Sequence, residues 1–596
     1  MTRLFVLFSA ALVVSLALVP LTRHLARTYG YVAKPKEKRW HKRPTALMGG
    51  AALSVTVIGL IPLVADTGPI WALLVGAGVM FAVGLFDDIK SLKPSTKLVV
   101  QVAVASLLVF DGYRLEWAES LTADTLLTLF WIVGITNAFN LLDNMDGLCT
   151  GVALVAGFSL LVAYGGGALD QATVAYLVLL LGASAGFLVY NVHPASIFLG
   201  DSGSLFIGLS LSTLALGLDS SLGSQPNVLA VIAVPVFVLL IPIFDTTLVT
   251  FSRIVTGRTP AVGGRDHSSH RLVAIGLSER SAVMVLWALA AVGGVVAVFA
   301  RYATPDWSIL LAALVVLAMA TFAIYLSHVH VYDDADEAAL KNNAVTPLVV
   351  EFLYKRRVAE VILDVGLVAV AYYSAYRLRF EGTQWGDNFG LFLQSLPVLV
   401  GVQLLSLFVV GAYRGVWRYF TLVDGVVFVK GVLVGTLAAV AAIVFAYRFD
   451  SYSRTVFVIY AVIVTLLLIG SRSSFRLINE LVRRRRYTGS RLIVYGADDT
   501  GIMALRKLSG NLESRFRMLG FIDDDNRRHG QRVDGYLVLG GHDKLLTLIE
   551  TSKVDTVVLC VAVVNAERLT ALKRVCTSNG VSLSRMQVDM QHLIAG

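Results

Sequence analysis

The chain has 596 residues, 56% of them hydrophobic and 15% charged, with a formal net charge of +9. Apolar stretches of about 17–25 residues recur along it, which excludes a water-soluble globular protein and marks a polytopic helical membrane protein. Cys149, Cys560 and Cys576 are too scattered for a disulfide framework or a CxxC metal site, and the excess positive charge reads as membrane topology, so no nucleic-acid partner is expected.

About eleven spans are expected before residue 330: 4–22, 46–65, 70–86, 97–111, 122–139, 150–165, 171–190, 203–217, 228–250, 281–301 and 307–327. The first run has no extended basic segment before it and no small-residue cleavage site after it, so it is kept as a span and not a leader. The loop Arg23 to Arg43 contains KPKEKRWHKRP, and the positive-inside rule places it in the cytoplasm. Strict alternation then puts the loops after the third, fifth, seventh and ninth spans on that same face. The opposite loops Ala65 to Pro69 and Leu218 to Asn227 contain no Lys or Arg.

Residues 331–357 are polar and read as a linker. About four more spans follow, near 358–376, 389–411, 426–447 and 455–471, and the basic run Arg483 to Arg486 closes a membrane domain over 358–490. From 491 to 596 short β-rich runs (RLIVYG, FRMLGFID, VDTVVLCV, VSLSRMQ) alternate with helical stretches such as Gly501 to Leu508 and Ala566 to Ser578. That alternation implies a parallel sheet. The expected fold is a polytopic α-helical membrane protein of about 11 + 4 transmembrane helices with a C-terminal cytosolic α/β, Rossmann-like domain.

The four loops on the basic face carry the chemistry. GLFDDIKSLKP brings Asp87 and Asp88 to the end of the third span. Adjacent carboxylates repel, so each needs a cation, a donor or a shared proton; a Mg²⁺–phosphate site supplies this, and so would Lys90, Lys93 or Lys97. NAFNLLDNMDG spaces Asn140, Asp143 and Asp146 three apart, on one side of an expected helix end. In YNVHPASIFLGDSGS, Asn191 precedes Asp201, and Gly200, Gly203 and Ser204 are expected to let phosphate oxygens reach the N–H groups opening the eighth span. The fourth segment, IFDTTLVTFSRIVTGRTPAVGGRDHSSHRL, holds Asp245, Arg253, Arg258, Arg265, His267, His270 and Arg271 in and around a Gly-rich loop suited to a diphosphate. Abundant carboxylates beside two histidines, with no thiolate, favour oxygen-ligated Mg²⁺ over Zn²⁺.

In this order the motifs, DD, NxxNxxDxxDG, PAxxFxGDxGS and DTTxVxxxR…HxxH, resemble those of the polyprenyl-phosphate N-acetylhexosamine-1-phosphate transferase superfamily (glycosyltransferase family 4, GlcNAc-1-phosphate type) over residues 1–330. The resemblance implies transfer of a sugar-1-phosphate from a UDP-sugar to undecaprenyl phosphate, with release of UMP and with Mg²⁺ or Mn²⁺ as cofactor. It assigns catalytic roles to Asp87, Asp88, Asp143, Asp146 and His267, with Asp87 acting on the lipid phosphate. It assigns metal ligation to Asp201 and Asp88, and substrate binding to Lys34, Asn140 and His270; Arg265 and Arg271, as cations of the Gly-rich loop, and Asn191 are also expected to bind substrate. It further implies a multi-pass protein of the bacterial inner membrane, with the active site and C-terminal domain facing the cytoplasm. The chain departs from the pattern at Asn144, where Gly is usual, and at Ser269, where a further His is usual. These departures point toward altered sugar preference or loop conformation and away from the peptidoglycan branch.

Residues 350–596 resemble the N-terminal membrane and Rossmann-like part of nucleotide-sugar 4,6-dehydratases of polysaccharide biosynthesis, carried by RRVAEVILDVGLVAVAYYSAYRLRF, YRGVWRYF and RLIVYGADDTG. No YxxxK dehydratase segment follows the sheet, so no dehydration is expected. Gly496 and Gly501 take the first and third positions of GxGxxG, and Asp523 ends the next strand where a ribose-binding acid would stand. Asp498 replaces the middle glycine, which favours a structural or homodimerising role over nucleotide binding. Two other readings of the whole chain are a transporter or flippase of lipid-linked sugars and an inactive scaffold of a glycan assembly complex. A transporter should carry its polar groups in broken helices at mid-membrane, whereas here they cluster in loops, and the intact acidic and His motifs argue against a scaffold.

Overall fold

The computed structural model describes residues 2–33, 44–118, 120–164, 170–216, 228–255, 264, 266–327, 329, 357–380, 383–414, 420–448, 452–484, 490–510, 516–551, 553–560 and 566–586. The chain divides into two compact units, Met1–Leu477 and Ile478–Gly596. The first is a polytopic helical membrane protein and the second a Rossmann-like module.

The spans read from the sequence are all helical. In the first part they are α1 (Thr2–Thr28), α2 (Gly49–Val64), α3 (Trp71–Ile89), α4 (Pro94–Phe110), α5 (Leu121–Leu142), α6 (Leu148–Tyr164), α7 (Gln171–Asn191), α8 (Gly200–Leu214), α9 (Val228–Val238), α10 (Leu240–Val255), α11 (Ser268–Ile275), α12 (Glu279–Tyr302) and α13 (Pro305–Ser327). Four helices follow at Arg357–Arg379, Thr383–Val410, Leu422–Tyr447 and Arg454–Arg484. Among the described residues ten helices are long and apolar enough to cross a membrane. The expected ninth span is a broken one: α9 and α10 meet at 73°. Pro242 explains the break, because it has no N–H to return to the last turn of α9 and its ring crowds that turn. α11 is a second difference, since it forms a short helix inside what reads as a Gly-rich loop.

α8 is the central helix of the first part, packed against α2, α3, α5 and α6, with Ser202 through Leu214 all buried. Its sequence, GDSGSLFIGLSLSTL, is rich in Gly and Ser, and small residues let membrane helices approach closely where no water drives them together. A Cβ on Gly203 would stand 2.8 Å from the Gly50 Cα, and one on Gly50 would collide with the Gly203 backbone. Backbone bonds from Gly49 N–H to Phe198 O (2.9 Å) and from Gly50 N–H to Leu199 O (2.8 Å) join the start of α2 to the segment that opens α8.

In the later membrane part, helix Arg357–Arg379 packs on α13, with Arg377 paired to Asp306 at 3.2 Å. Arg472 and Asp364 form a bidentate ion pair in the interior of this part, with side chains 1% and 0% exposed.

The module is a parallel four-stranded sheet in the order Phe516–Ile522, Ser490–Tyr495, Thr556–Leu559, Ser582–Arg585. Helices Asp499–Gly510, His542–Glu550 and Ala566–Ser578 accompany it. His542–Glu550 and the hairpin Arg532–Val533/Tyr536–Leu537 are additions to the expected elements. A Cβ on Gly501 would strike the Gly496 carbonyl, so the glycine permits close helix–strand contact. Asp523, the expected ribose acid, instead accepts from Ala497 N–H (2.9 Å) and Arg528 Nη1 (2.9 Å), which secures the turn after the first strand. The Asp498 carboxylate accepts the Gly501 N–H (3.0 Å) and so occupies the helix N-terminus itself.

Candidate active site

α3 ends in Asp87 and Asp88, and the two side chains diverge. Asp88 Oδ1 accepts the Asp201 N–H (2.9 Å) and its Oδ2 accepts the Ser202 N–H (3.1 Å). The carboxylate is thus seated on the N-terminus of α8, where unpaired N–H groups and the helix dipole favour an anion. This corrects the expectation that those N–H groups are open to a phosphate: in this structure Asp88 has them. Gly200 makes the seat possible, with φ at 72° and no Cβ to collide with the Asp88 carboxylate. Gly203 serves helix packing and not phosphate approach.

Asp87 turns toward α4. Its Oδ1 accepts the Leu92 N–H (2.5 Å), and its Oδ2 lies 3.1 Å from Lys97 Nζ. The same ammonium is 2.8 Å from Asp201 Oδ2, so Lys97 bridges the two aspartates. The sequence reading treats Lys97 only as one of three neutralising lysines. The available signal was its place one turn into an otherwise apolar span, where a charge is costly and tends to be functional. Asn140 completes this group by donating to Asp201 Oδ1 (2.9 Å) and to Ser204 Oγ (3.0 Å).

Asn140, Asp143 and Asp146 do not converge by helical spacing as expected. α5 stops at Leu142 and Asp143 is its C-cap, with ψ at 48°. Asp143 Oδ2 accepts the Gly200 N–H (3.2 Å), which brings it to the same helix start as Asp88. Burial, reinforced by the charges of Asp201, Asp88 and Asp146, pushes the Asp143 carboxyl up to about 8. Asp146 turns away, accepting the Ala195 N–H (2.9 Å) and pairing with His193 Nδ1 (3.0 Å). Asn191 is a brace: its Oδ1 accepts the Gly147 N–H (3.1 Å) and its Nδ2 donates to Ile197 O (3.1 Å). Asn191, expected to bind substrate, thus has its amide engaged between the 143–147 turn and the loop before α8.

A second cluster forms around α11. Buried Asp245 pairs with His267 Nδ1 (2.7 Å) and accepts the Ser268 N–H (2.7 Å) and hydroxyl (2.6 Å). With Asp245 ionised, Nδ1 holds the proton and Nε2 remains as the ring's other nitrogen for a ligand. His270 is also buried, its ring centroid 6.2 Å from that of His267. Arg271, expected to bind substrate, donates to Asp266 O (2.7 Å), Leu326 O (2.8 Å) and Ser252 Oγ (2.8 Å), linking α11 to the ends of α10 and α13. The clusters touch where Ser269 Oγ donates to Asn144 Oδ1 at 2.7 Å. Lys34 and Arg265, both expected to bind substrate, lie outside the described residues.

The family described as Glycosyl transferase family 4 matches residues 70–219, which include Asp87, Asp88, Lys97, Asn140, Asp143 and Asp201. The chain is also 32% identical, over 336 residues, to the probable undecaprenyl-phosphate N-acetylglucosaminyl 1-phosphate transferase of Bacillus subtilis (strain 168), an alignment covering 54% of this chain and 92% of that protein. This chain belongs to glycosyl transferase family 4. It is a polyprenyl-phosphate sugar-1-phosphate transferase. The decaprenyl-phosphate N-acetylglucosaminephosphotransferase of Mycolicibacterium smegmatis is 34% identical over 302 residues, 44% of this chain and 74% of that protein. A probable polysaccharide biosynthesis protein, EpsC of Bacillus subtilis (strain 168), is 26% identical over 226 residues, 38% of this chain and 37% of that protein. A second family, described as CoA-binding domain, matches residues 409–585 of this family 4 transferase.

Phosphotransferases of family 4 generally depend on a divalent metal. Among the described residues no three His, Cys, Asp or Glu side chains form a ready-made cage. Mg²⁺ rarely needs one: it usually binds one or two carboxylates and takes its remaining oxygens from water and substrate phosphates. Asp87 and Asp201 already hold a cationic group between them, the Lys97 ammonium. That donor set fits an oxygen-ligated divalent cation.

Proposed function

We propose that this transferase moves N-acetylglucosamine-1-phosphate from UDP-N-acetylglucosamine to undecaprenyl phosphate and releases UMP. The reaction would open the synthesis of a lipid-linked cell-surface polysaccharide at the cytoplasmic face of a bacterial inner membrane. The observation that carries this reading is the Asp87–Lys97–Asp201 bridge at the end of the bundle, with Asp88 and Asp143 on the adjoining helix start. The printed names of the relatives support the sugar and the lipid, and the cationic loop Arg23 to Arg43 supports the orientation.

A lipid-phosphate oxygen forms a bond to the β-phosphorus of the UDP-sugar. The bond from that phosphorus to the α–β bridging oxygen breaks, and UMP leaves with the oxygen. When bound, Mg²⁺ or Mn²⁺ would neutralise charge building on the diphosphate oxygens, held by Asp201 with Asp87 beside it. Lys97 is placed to pass from the aspartates to a phosphate oxygen. Asp87, fixed by the Leu92 N–H, positions the lipid phosphate and accepts its proton. His267, oriented by Asp245, faces the diphosphate with His270. Both oxygens of Asp88 are engaged by backbone N–H groups, which favours direct transfer over a covalent Asp88 intermediate.

The C-terminal module has a structural or homodimerising role on this reading, because Asp498 fills the helix N-terminus where a pyrophosphate would bind.

The test is UMP release by purified protein with undecaprenyl phosphate, Mg²⁺ and a panel of UDP-sugars. Release with UDP-N-acetylglucosamine, lost with EDTA and reduced about 100-fold or more in Asp201→Ala, is the expected result. Release with a different sugar alone would overturn the donor assignment, and no release with any sugar would overturn the nucleotide-sugar reading.

A further inference from the structure

Ser269 lies in the first turn of α11, two residues after His267, and is fully buried. A hydroxyl in such a place needs a partner, and it has one in Asn144 Oδ1 at 2.7 Å, 125 positions earlier in the chain. Asn144 is in turn held by its own Nδ2, which donates to Leu141 O (2.9 Å) at the end of α5. One amide therefore joins the last turn of α5, the turn holding Asp143 and the helix holding His270. The bond lies between the two halves of the site: Asp143 reaches the start of α8 on one side, and His267 with Asp245 stands on the other. Loss of Asn144 takes this partner from the buried Ser269 hydroxyl.

We infer that Asn144 and Ser269 form a latch that sets the spacing between the aspartate turn and the histidine helix, and thereby the fit of the nucleotide-sugar donor. Both are positioning residues that contribute no proton and no ligand to the reacting atoms. The inference rests on the donor reading above. Because the lipid phosphate is handled at Asp87 on that reading, and the latch instead joins the Asp143 turn to the His267 helix, the latch should act on the donor alone.

The experiment is steady-state UMP release by the full-length protein in lipid, with donor and undecaprenyl phosphate varied separately. Wild type, Asn144→Ala, Ser269→Ala, the double variant and Ser269→Thr are compared, each checked by thermal unfolding in detergent. Each alanine variant is expected to raise the donor KM by about fivefold, the worth of one net hydrogen bond. The KM for undecaprenyl phosphate and kcat should stay within about twofold. The double variant should be no worse than either single one, because both remove the same bond, and Ser269→Thr, which keeps the hydroxyl, should stay close to wild type. Multiplicative losses in the double variant, an unchanged donor KM, or loss confined to kcat or to thermal stability would each overturn the latch. Wild-type protein that releases no UMP from any UDP-sugar would instead overturn the donor reading on which the latch depends.

Discussion

Asp245 is buried and takes three hydrogen bonds, one of them from the His267 ring. Replacing it with Asn preserves size but removes the charge that keeps the Nδ1 proton in place. A positioned acid–base group is worth about 10²–10⁴ in rate, so Asp245→Asn should lower kcat at least tenfold while the protein remains folded by thermal unfolding. Arg271 behaves differently although it is only four residues after His267. It donates to Asp266 O, Leu326 O, Val329 O and Ser252 Oγ, so Arg271→Ala should cost about 2–4 kcal/mol of stability, visible as a lower melting temperature before any effect on KM. From the sequence Arg271 is expected to bind substrate, because a cationic loop and a pinned one look alike in one dimension. Asp88 shows the same limit. Its need for donors is readable from the adjacent Asp87, but the donors are backbone N–H groups more than a hundred residues away, and no side-chain pattern announces them.

Helix boundaries were legible because apolar runs of membrane length have few alternatives, and most observed ends fall within a few residues of the expected ones. Where the reading slipped, a local backbone event was responsible: Pro242 split the ninth span, and α5 ended at Leu142 so that Asp143 and Asp146 left the helix in different directions. The seating of α8 depends on glycine in a way that can be tested. Gly50→Val drives a side chain into the backbone of Gly203, which cannot yield cheaply, whereas Gly59 and Gly78 have nothing within 4 Å of an added Cβ. Gly50→Val should lower thermal stability in detergent by about 1–3 kcal/mol or more and reduce activity through the displaced start of α8. Gly59→Ala and Gly78→Ala should be indistinguishable from wild type in both measurements.

Within the membrane unit the buried Arg472–Asp364 pair joins helix Arg454–Arg484 to helix Arg357–Arg379. Removing one charge leaves the other stranded, so Arg472→Met should cost about 3–5 kcal/mol, while Arg472→Met with Asp364→Leu should recover most of it. Comparing unfolding midpoints of the two variants decides this; equal losses would show that the pair does not act as a unit. The sequence by itself determined the polytopic helical class, the α/β module after it and the set of polar motifs gathered at one end of the bundle. Hydrophobic length, charge bias and motif spacing are one-dimensional properties. Tertiary structure alone decided which of those polar residues meet. Lys97 between Asp87 and Asp201, Asp88 on the α8 N-terminus, Asn191 and Arg271 as braces, and Asn144 against Ser269 all join residues from separate helices. Such partners are chosen by packing and by the demand that buried polar groups be satisfied, which no single stretch of chain records.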